Sequence, residues 1–307
     1  MTRSPDTAYS GILCVNKPQE FTSFDVIAKL RGMTRTRKLG HSGTLDPMAT
    51  GVLPVFFGNA TKACDLVPRS DKRYRAGIRF GLATDTQDVW GHPLRKDPSP
   101  VPRAALEAAL SAFRGEISQL PPMYSAVQIN GQRLYDLARR GIEVERPPRT
   151  VTIHSLELLA YDESAREASI DVHCSKGTYI RTLCHDLGEA LGCGAVMTSL
   201  TRTEAAGFTL ADCRTFAEIE ELLVEGTFAE ALLPVAQLFR ELPPVHLSPV
   251  QTRMFENGVR LDLNRVRYED SGEIHAVYGP TGEFLGLADC RKETAELVMR
   301  KLFIQRS

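Results

Sequence analysis

Near the start of the chain, a short apolar run is followed by a segment whose apolar residues have helical spacing. Residues 11–16 form an apolar run that stops at Lys17-Pro18, and this predicts a short buried strand. Thr22 or Ser23 can then cap a helix that ends at Gly32. The apolar side chains near one face of that helix are Phe24, Ile27, Ala28 and Leu30.

The segment from Lys72 to Phe80 alternates with a period of two. Its apolar face carries Tyr74, Ala76, Ile78 and Phe80. Its polar face carries Arg73, Arg75 and Arg79. This pattern predicts a half-buried strand with a basic outer row.

The remaining apolar patterns extend over the rest of the chain. They predict helices over residues 103–113 and 132–140, a pair of strands over 150–160 and 168–174, and a further strand over 195–203. Thr178 can cap another helix, which Gly192 ends. The apolar positions at helical spacing in it are Ile180, Leu183, Leu187 and Leu191.

The composition and the predicted elements change twice in the last third of the chain. Residues 204–241 hold eight acidic and two basic side chains, and we predict an acidic, helical stretch there. Pro243-Pro244 marks the best domain boundary. Beyond it, short strands alternate with turns such as Gly279–Gly282.

The composition is that of a folded globular protein, with 43% hydrophobic and 24% charged residues among 307. This length suits one large domain, or a large one joined to a small one. No run approaches the roughly 18 uninterrupted apolar residues of a membrane helix, and residues 1–10 lack the apolar core of a signal peptide. We therefore expect a soluble, cytoplasmic protein with no membrane partner.

The formal net charge of −1 speaks at first against a polyanionic partner. The total hides a segregation, however. Residues 1–150 carry 22 Lys and Arg against 14 Asp and Glu, a net charge of +8. Residues 151–307 carry 15 against 24, a net charge of −9. A basic half is thus joined to an acidic half.

The seven cysteines are an odd number, and none forms a C-x-x-C pair. The densest group of cysteines and histidines lacks the spacing of metal ligands: it is His173, Cys174, Cys184, His185 and Cys193. Buried thiols in a reduced compartment are the better interpretation, and we expect no metal site.

The most unusual stretch is Gly40-His-Ser-Gly-Thr-Leu-Asp-Pro-Met-Ala-Thr-Gly-Val-Leu-Pro54. Three glycines within twelve residues indicate sharp turns or close backbone approach, and Asp46 is the one carboxylate. Judged locally, it is a turn in which Asp46 caps a short helix with Pro47 at its first position. No Gly-Lys-Ser/Thr of a phosphate loop follows, and the spacing of a nucleophile elbow is missing.

Taken whole, this stretch resembles the catalytic motif of the tRNA pseudouridine-55 synthases, bacterial enzymes that isomerise one uridine in the T loop. Three further segments match that family in the family's order. They are Asn16-Lys17-Pro18 with the helix after it, Lys72-Arg-Tyr74-Arg-Ala76, and Cys174-Ser-Lys-Gly-Thr-Tyr-Ile-Arg181-Thr. The resemblance is strong over residues 10–210 and weak beyond them.

The resemblance implies roles for five residues. Asp46 is the catalytic carboxylate, Arg181 is its ion-pair partner, and Tyr74 stacks on the flipped base and can take the C5 proton. His41 fills the space that the base leaves, and Leu200 packs beside the base, although a core leucine would look the same. Independently, Arg181 lies in the first turn of its predicted helix, where the helix dipole disfavours a cation by about 0.3–1 kcal/mol. Local rules broken in this way tend to mark functional positions.

Basic residues concentrate around these motifs and are candidates for phosphate contacts. As substrate-binding residues we expect Lys17, Arg35, Arg37, Lys38, Arg73, Arg139 and Arg140. Further candidates are Arg31, Arg69, Lys72, Arg75 and Arg79. Residues 121–149, which include Arg139 and Arg140, resemble the insertion that closes over the T arm.

The sequence thus predicts an α/β fold of the α+β type. We expect a polar tail over 1–10, a pseudouridine synthase domain on a mixed, largely antiparallel sheet over 11–242, and a PUA-like β domain over 245–307. The reaction breaks and re-forms a glycosidic bond without a redox step, so no cofactor is implied. The expected partner is the T stem-loop of tRNA, with no guide RNA, and the expected state is a monomer.

Two alternatives remain at this point. One is a pseudouridine synthase that acts on another RNA, and the other is a non-catalytic protein that binds or folds tRNA, for which Asp46 would be dispensable. The residues also leave open whether Asp46 attacks C6 of uracil, attacks C1′, or removes a sugar proton.

Overall fold

The structure, a computed structural model, describes residues 9–68, 70–129, 131–269 and 271–304. Arg69, one of the basic candidates, lies outside the described residues. Six α-helices occur within the described ranges: α1 (Ser23–Thr34), α2 (Arg103–Ala112), α3 (Leu134–Ala138), α4 (Ile180–Ala190), α5 (Phe216–Glu225) and α6 (Pro249–Glu256).

Strands make up two main sheets. Up to residue 214 the strands are β1 (Gly11–Lys17), β2 (Leu39–His41), β3 (Thr50–Phe57), β4 (Lys72–Phe80), β5 (Leu82–Thr84), β6 (Pro93–Lys96), β7 (Gly115–Gln119), β8 (Gln128–Ile129), β9 (Gln132–Arg133), β10 (Arg149–Asp162), β11 (Glu167–Cys174), β12 (Ala195–Ala205), β13 (Phe208–Thr209) and β14 (Cys213–Arg214). The later ones are β15 (Pro244–His246), β16 (Leu261–Asp262), β17 (Arg267–Tyr268), β18 (Ile274–Tyr278), β19 (Phe284–Arg291) and β20 (Glu296–Leu302).

The large sheet has the order β14-β1-β3-β12-β4-β11-β10-β7, with β13 beside β12 and β2 beside β3. Only β1 with β14 and β3 with β12 pair in parallel; the other neighbours are antiparallel. The predicted mixed, largely antiparallel sheet is therefore confirmed. The second sheet has the order β16-β20-β19-β18-β15-β17, and its first strand along the chain begins at Pro244, within the predicted boundary Pro243-Pro244.

The strand patterns hold well. The predicted alternation in β4 is present, because Tyr74, Ala76 and Ile78 are buried while Arg75 and Arg79 are exposed. The predicted antiparallel pair is β10 with β11, and the strand predicted over 195–203 is β12. These strands lie in the middle of the large sheet, so side-chain alternation across them decides which residues face the core.

Helix α1 begins as predicted and ends later. Thr22 accepts a hydrogen bond from the backbone N–H of Asp25, whose carboxylate accepts from the backbone of Thr22, and this capping box fixes the start. The helix runs through Gly32 to Thr34. Phe24 is 65% exposed and Ala28 is exposed too, so their predicted place on one face with Ile27 and Leu30 is wrong. The buried stripe follows Ser23, Val26, Ile27, Leu30 and Thr34, and Phe24 points away from it.

Three other predicted boundaries are corrected. Tyr179, not Thr178, is the N-cap of α4, because the Thr178 hydroxyl donates to the carbonyl of Ser175 at 2.9 Å instead. Helix α3 is shorter than predicted, since residues 132–133 pair as a strand in a small hairpin. Within 204–241 only α5 is an α-helix. Gly226 ends it in a left-handed conformation, and short strands, 3₁₀ turns and loops make up the rest.

No disulfide joins any of the seven cysteines, which all lie in the described residues, and six of them are buried. Burial raises the pKa of Cys174 to about 11 and that of Cys213 to about 12, so both are protonated thiols at neutral pH. Among the described residues, no cluster of His, Cys, Asp or Glu could hold a metal ion. The same part of the chain contains no helix that is long and apolar enough to cross a membrane.

Gly51, at the start of β3, is required by a close backbone crossing. Its φ is +103°, and an added Cβ would lie 2.2 Å from the backbone oxygen of Arg202 on β12. We expect Gly51→Ala to lower the free energy of unfolding by about 3 kcal/mol or more, because backbone strain and overpacking add together. Urea unfolding followed by circular dichroism measures this.

Gly115→Ala is the matched control for Gly51→Ala. Gly115 also has a positive φ, +84°, but no described atom lies within 4 Å of an added Cβ. This variant therefore carries only the backbone cost of about 1–2 kcal/mol. Equal losses in the two variants would contradict the role of the close crossing.

Candidate active site

Asp46 lies on the loop between β2 and β3. The loop makes a single turn, in which the N–H of Ala49 donates to the carbonyl of Asp46 at 3.0 Å, and no helix begins at Pro47. The Asp46 side chain is 40% exposed, and its Oδ2 lies 2.9 Å from Nε of Arg181. An aspartate on a loop and an arginine on α4, 135 positions apart in the sequence, thus form one ion pair.

Arg181 is held on every side. Its side chain is only 5% exposed. Nη1 donates to the carbonyl of Thr86 at 2.9 Å, and Nη2 donates to the carbonyl of Tyr124 at 2.8 Å. With Nε on Asp46, all three nitrogens have partners, so the guanidinium presents one fixed edge to the carboxylate.

Asp88 is a second carboxylate near Arg181, and the sequence analysis missed it. Its Oδ2 lies 3.9 Å from Nη1 of Arg181, and its side chain is 11% exposed. Oδ1 accepts from the Thr86 hydroxyl at 2.7 Å and from the backbone N–H of Trp90 at 3.0 Å. Asp88 therefore shares the charge of Arg181 and fixes the loop whose carbonyl also binds that arginine.

The start of α4 is fixed by a side chain of β7. The Gln119 side chain is buried; its Nε2 donates to the carbonyl of Tyr179 at 3.2 Å, and its Oε1 accepts from the N–H of Tyr179 at 3.0 Å. Arg181 follows two residues later, in the first turn as predicted. The unfavourable helix-dipole position is offset by Asp46 and by the carbonyls that bind the guanidinium.

The ion pair opens on a cavity of about 280 Å³. The structure brings to its wall four of the five residues to which the resemblance gives roles: Asp46, Tyr74, Arg181 and Leu200. The other lining residues are Gly43, Thr44, Leu45, Lys72, Ser125, Ala126, Gly177, Thr178, Tyr179 and Ile180. The cavity wall carries the charged groups of Asp46 and Arg181. It also carries aromatic and aliphatic side chains, which suit the binding of a flat ring such as a base.

Tyr74 is buried on β4, directly opposite Arg202 on β12. Burial raises the pKa of the Tyr74 phenol above its ordinary value, and the nearby Arg202 guanidinium offsets part of this rise. Tyr74 is therefore a neutral phenol at neutral pH. A neutral ring suits stacking, and Arg202 is a cation placed to stabilise the hydroxyl if it loses its proton.

Arg202 is a fully buried arginine that the sequence analysis did not single out. Its Nε donates to the carbonyl of Val52 at 2.8 Å, and Nη2 donates to the carbonyl of Gly43 at 2.8 Å. It thereby ties both ends of the Asp46 loop to the central strand. The sequence contains one indication that Arg202 belongs to the site. Arg202 falls two positions after Leu200, so the two side chains share one face of the strand.

Lys17 does not fit the predicted contact with substrate. It is fully buried, and its ammonium donates to the carbonyls of Phe21 at 2.5 Å, Pro18 at 3.0 Å and Pro47 at 3.4 Å. Burial lowers its pKa to about 8, although the nearby Asp46 favours the charged form. With no exposed surface, Lys17 holds the residue that follows Asp46 rather than reaching an RNA.

His41 ends β2 and is half buried. Burial lowers its pKa below the ordinary value, so the imidazole is neutral at neutral pH. No described residue lies within hydrogen-bond distance of its Nδ1. His41 is near the Asp46 loop but is not among the residues that line the cavity.

Two family models together match residues 31–245. Residues 31–180 match the model of the TruB family pseudouridylate synthase N-terminal domain, and residues 181–245 match that of the tRNA pseudouridylate synthase B C-terminal domain. The tRNA pseudouridine synthase B of Bacillus licheniformis is 39% identical over 91% of this chain and 96% of its own. That of Chromobacterium violaceum is 43% identical over 94% of this chain and 93% of its own.

The chain belongs to the TruB family of pseudouridylate synthases. The family predicted from the four sequence motifs is thereby confirmed. Among solved structures, a Cbf5-Nop10-Gar1 complex is similar, with a TM-score of 0.76 and 25% identity over 97% of this chain and 86% of that one. An H/ACA RNP bound to a substrate RNA has a TM-score of 0.74 at 23% identity, over 97% of this chain and 86% of that one, a likeness in fold alone.

In this TruB family member, two groups of the predicted basic residues are exposed side by side. Arg31, Arg35, Thr36 and Arg37 line an open depression of about 520 Å³ beyond the end of α1, and Lys38 is exposed beside it. Arg139 and Arg140 are exposed after α3, with Arg139 stacked 5.6 Å from the ring of Tyr135. Both clusters lie in the basic half of the chain.

Arg73 differs from these residues, since it is already paired. Its Nε lies 2.6 Å from Asp171 on the neighbouring strand β11, and Arg75 lies 3.8 Å from the same carboxylate. Part of the charge of the basic outer row is therefore neutralised within the protein, which weakens Arg73 as a phosphate contact.

Proposed function

We propose that this chain converts uridine 55 in the T loop of tRNA to pseudouridine. The observation that carries the proposal is the Asp46–Arg181 ion pair on the wall of a cavity that Tyr74 and Leu200 also line. The tRNA substrate is supported by the names of the curated relatives, and the position within tRNA by the four motifs.

The reaction breaks the bond between C1′ and N1 of uracil, turns the base and joins C1′ to C5. The proton that leaves C5 balances the one that N1 gains, so no oxidant, phosphoryl donor or water is consumed. A carboxylate beside the sugar and the ring is what this chemistry requires. Asp46 meets the requirement because one of its oxygens binds Arg181 and the side chain remains accessible from the cavity.

Arg181 gives the Asp46 carboxylate a fixed counter-charge. A carboxylate that a bound base shields from water is costly unless a cation is paired with it. The guanidinium is already desolvated and fixed by the carbonyls of Thr86 and Tyr124, so pairing needs no further ordering when substrate binds. Attack at C6, attack at C1′ and removal of a sugar proton all begin from this same carboxylate.

The target base must leave the loop to reach the cavity. In our proposal Tyr74 stacks on the flipped uracil, Leu200 packs beside it and His41 occupies the space left in the loop. Tyr74 gives its phenolic proton to N1 of the released uracil, Arg202 stabilises the resulting phenolate, and this phenolate takes the proton from C5 after the new bond has formed. The neutral state of His41 fits this role, because an uncharged imidazole inserts between bases at a lower desolvation cost than a cation.

We propose that residues 11–242 form the catalytic domain and residues 245–307 a PUA-like RNA-binding domain. Residues 121–149, with Arg139 and Arg140, would close over the T arm, and the protein would act as a cytoplasmic monomer without a guide RNA. The fixed contact between Tyr124 and Arg181 supports this, since it joins the inserted segment directly to the ion pair.

The exposed arginines after α1 give a prediction about salt. We expect the double variant Arg35→Gln/Arg37→Gln to weaken T-arm binding and to reduce the slope of log affinity against log salt by about 1–2, because two phosphate contacts release their counterions. Fluorescence anisotropy across a salt series measures it. Arg103→Gln is the control, since Arg103 is exposed but paired with Glu107 at 3.1 Å; an equal change there would contradict the assignment.

The experiment that tests the proposed function uses the purified chain and an unmodified T-arm stem-loop labelled with tritium at C5 of the target uridine. We expect release of the label and one pseudouridine per RNA, in the presence of EDTA and without nucleotide. Tight binding with no release would instead identify a protein that binds or folds tRNA.

A further inference from the structure

Ser125 is a buried hydroxyl on the cavity wall that has no partner. It lies between β7 and β8, it lines the cavity beside Asp46 and Tyr74, and only 5% of it is exposed. Its Oγ makes no hydrogen bond with any described residue. Buried hydroxyls are rarely left in this state, so one that borders a binding cavity needs an explanation.

The backbone around Ser125 is firmly held. Its N–H donates to the carbonyl of Met123 at 3.0 Å, and its carbonyl accepts from the N–H of Tyr135 at 3.1 Å. The preceding carbonyl, of Tyr124, binds Arg181 at 2.8 Å. The hydroxyl is therefore carried on a segment that is docked on the catalytic ion pair.

The chemistry of the cavity shows what is missing. The charged side chains of Asp46 and Arg181 satisfy one another, and the Lys72 ammonium donates to the carbonyl of Ser70 at 3.1 Å. A uracil that leaves the T loop loses the partners of O2, N3–H and O4, and it needs new ones in the cavity. A serine hydroxyl both donates and accepts, so it can pair with any of these groups.

We propose that the Ser125 hydroxyl binds the polar edge of the flipped uracil and thereby makes Ser125 a substrate-positioning contact of the site. This rests on the proposed function. Without substrate the hydroxyl is buried and unpaired, which destabilises the segment; with uracil in place it gains its partner. The contact exists only for a flipped base, so it favours the flipped state of the correct nucleotide.

The first test compares Ser125→Ala with the wild type. We expect kcat/KM for the T-arm stem-loop to fall about tenfold, the effect of one lost hydrogen bond to substrate. The Tm should stay the same or rise, because the variant removes an unpaired buried hydroxyl. A fall in Tm together with the loss of activity would show a structural role, and unchanged kcat/KM would show no role; either result overturns the proposal.

Thr203→Val is the matched control. The Thr203 hydroxyl on β12 is also buried without a partner among the described residues, but it does not line the cavity. We expect its Tm to behave as that of Ser125→Ala and its kcat/KM to equal that of the wild type. A tenfold loss in this variant would remove the link between the cavity and the effect.

A second test separates contact with the base from contact with the sugar and is read without catalysis. In an Asp46→Asn background, Ser125→Ala should weaken binding of the uridine stem-loop about tenfold and leave unchanged the Kd of a stem-loop with an abasic target. Equal weakening of both RNAs, or of neither, would overturn the assignment to uracil. Failure of the proposed function would appear separately, as wild-type protein that forms no pseudouridine.

Discussion

We expect the Asp46→Asn variant to form no detectable pseudouridine in a T-arm stem-loop, a loss of at least about a thousandfold in rate. An amide has nearly the shape of the carboxylate but carries no negative charge and is neither a nucleophile nor a base. The loss follows whether Asp46 acts at C1′, at C6 or on a sugar proton. The measurement is single-turnover release of tritium from C5.

The same variant should still bind RNA. Asp46 is one of several groups on the cavity wall, and the exposed arginines after α1 and α3 do not depend on it. We therefore expect its Kd for the stem-loop to stay within about threefold of the wild-type value, since removing an acidic group from an RNA site does not weaken phosphate contacts. Pseudouridine formed at the wild-type rate would refute the catalytic role of Asp46.

The Arg181→Met variant should lose activity by about a hundredfold or more while it retains binding. Methionine fills a similar volume but leaves Asp46 and Asp88 without their shared cation, so the carboxylate beside the bound base loses its counter-charge and its fixed position. Single-turnover release of tritium from C5 measures the rate, and fluorescence anisotropy measures the Kd.

Arg95→Met is the control for Arg181→Met. Arg95 on β6 pairs at 2.6 Å with Glu189, which lies on α4 as Arg181 does. Both side chains of this pair are more than 40% exposed. Surface pairs of this kind contribute little, so rate and Tm should match the wild type. If Arg181→Met lost binding and rate in equal proportion, Arg181 would be a phosphate contact and not the partner of Asp46.

Local patterns were enough to predict several central strands and helices, but not how the strands pair. The alternation of Lys72–Phe80 gave its strand and its buried face, and the Thr22 cap gave the start of α1. The misplaced Phe24 shows the limit of such patterns, because a side chain in the first turn can satisfy helical spacing and still point away from the core. Similarly, Thr178 has the chemistry of a cap, but a competing carbonyl takes its hydroxyl.

The site residues likewise fall into those that sequence motifs predict and those that only the fold brings together. Asp46, Tyr74 and Arg181 were found through motifs, and the structure brings all three to one cavity. Asp88 and Arg202 were missed because their partners lie far away in the sequence: Arg202 binds carbonyls near residues 43–52, some 150 positions before it. Lys17 was predicted to contact the substrate, and this is wrong because the side chain is fully buried. Only the fold shows that burial.

The charge asymmetry of the chain also has a structural counterpart. The basic half supplies the Asp46 loop, the arginines after α1 and the inserted segment, and the acidic half supplies Arg181 and Leu200. A site built from both halves needs the long-range pairing of β12 with β3 and β4. No local pattern contains that pairing, which is why the motifs gave the residues but not their distances.

Mapping pseudouridine at nucleotide resolution in cells that lack this protein tests the central claim most directly. If the protein modifies uridine 55, we expect pseudouridine to disappear from position 55 of the T loop across the tRNAs and from no other site. Expression of the wild-type chain should restore it, and expression of Asp46→Asn should not. Pseudouridine that persists in the T loop, or that is lost from a different RNA, would contradict the account.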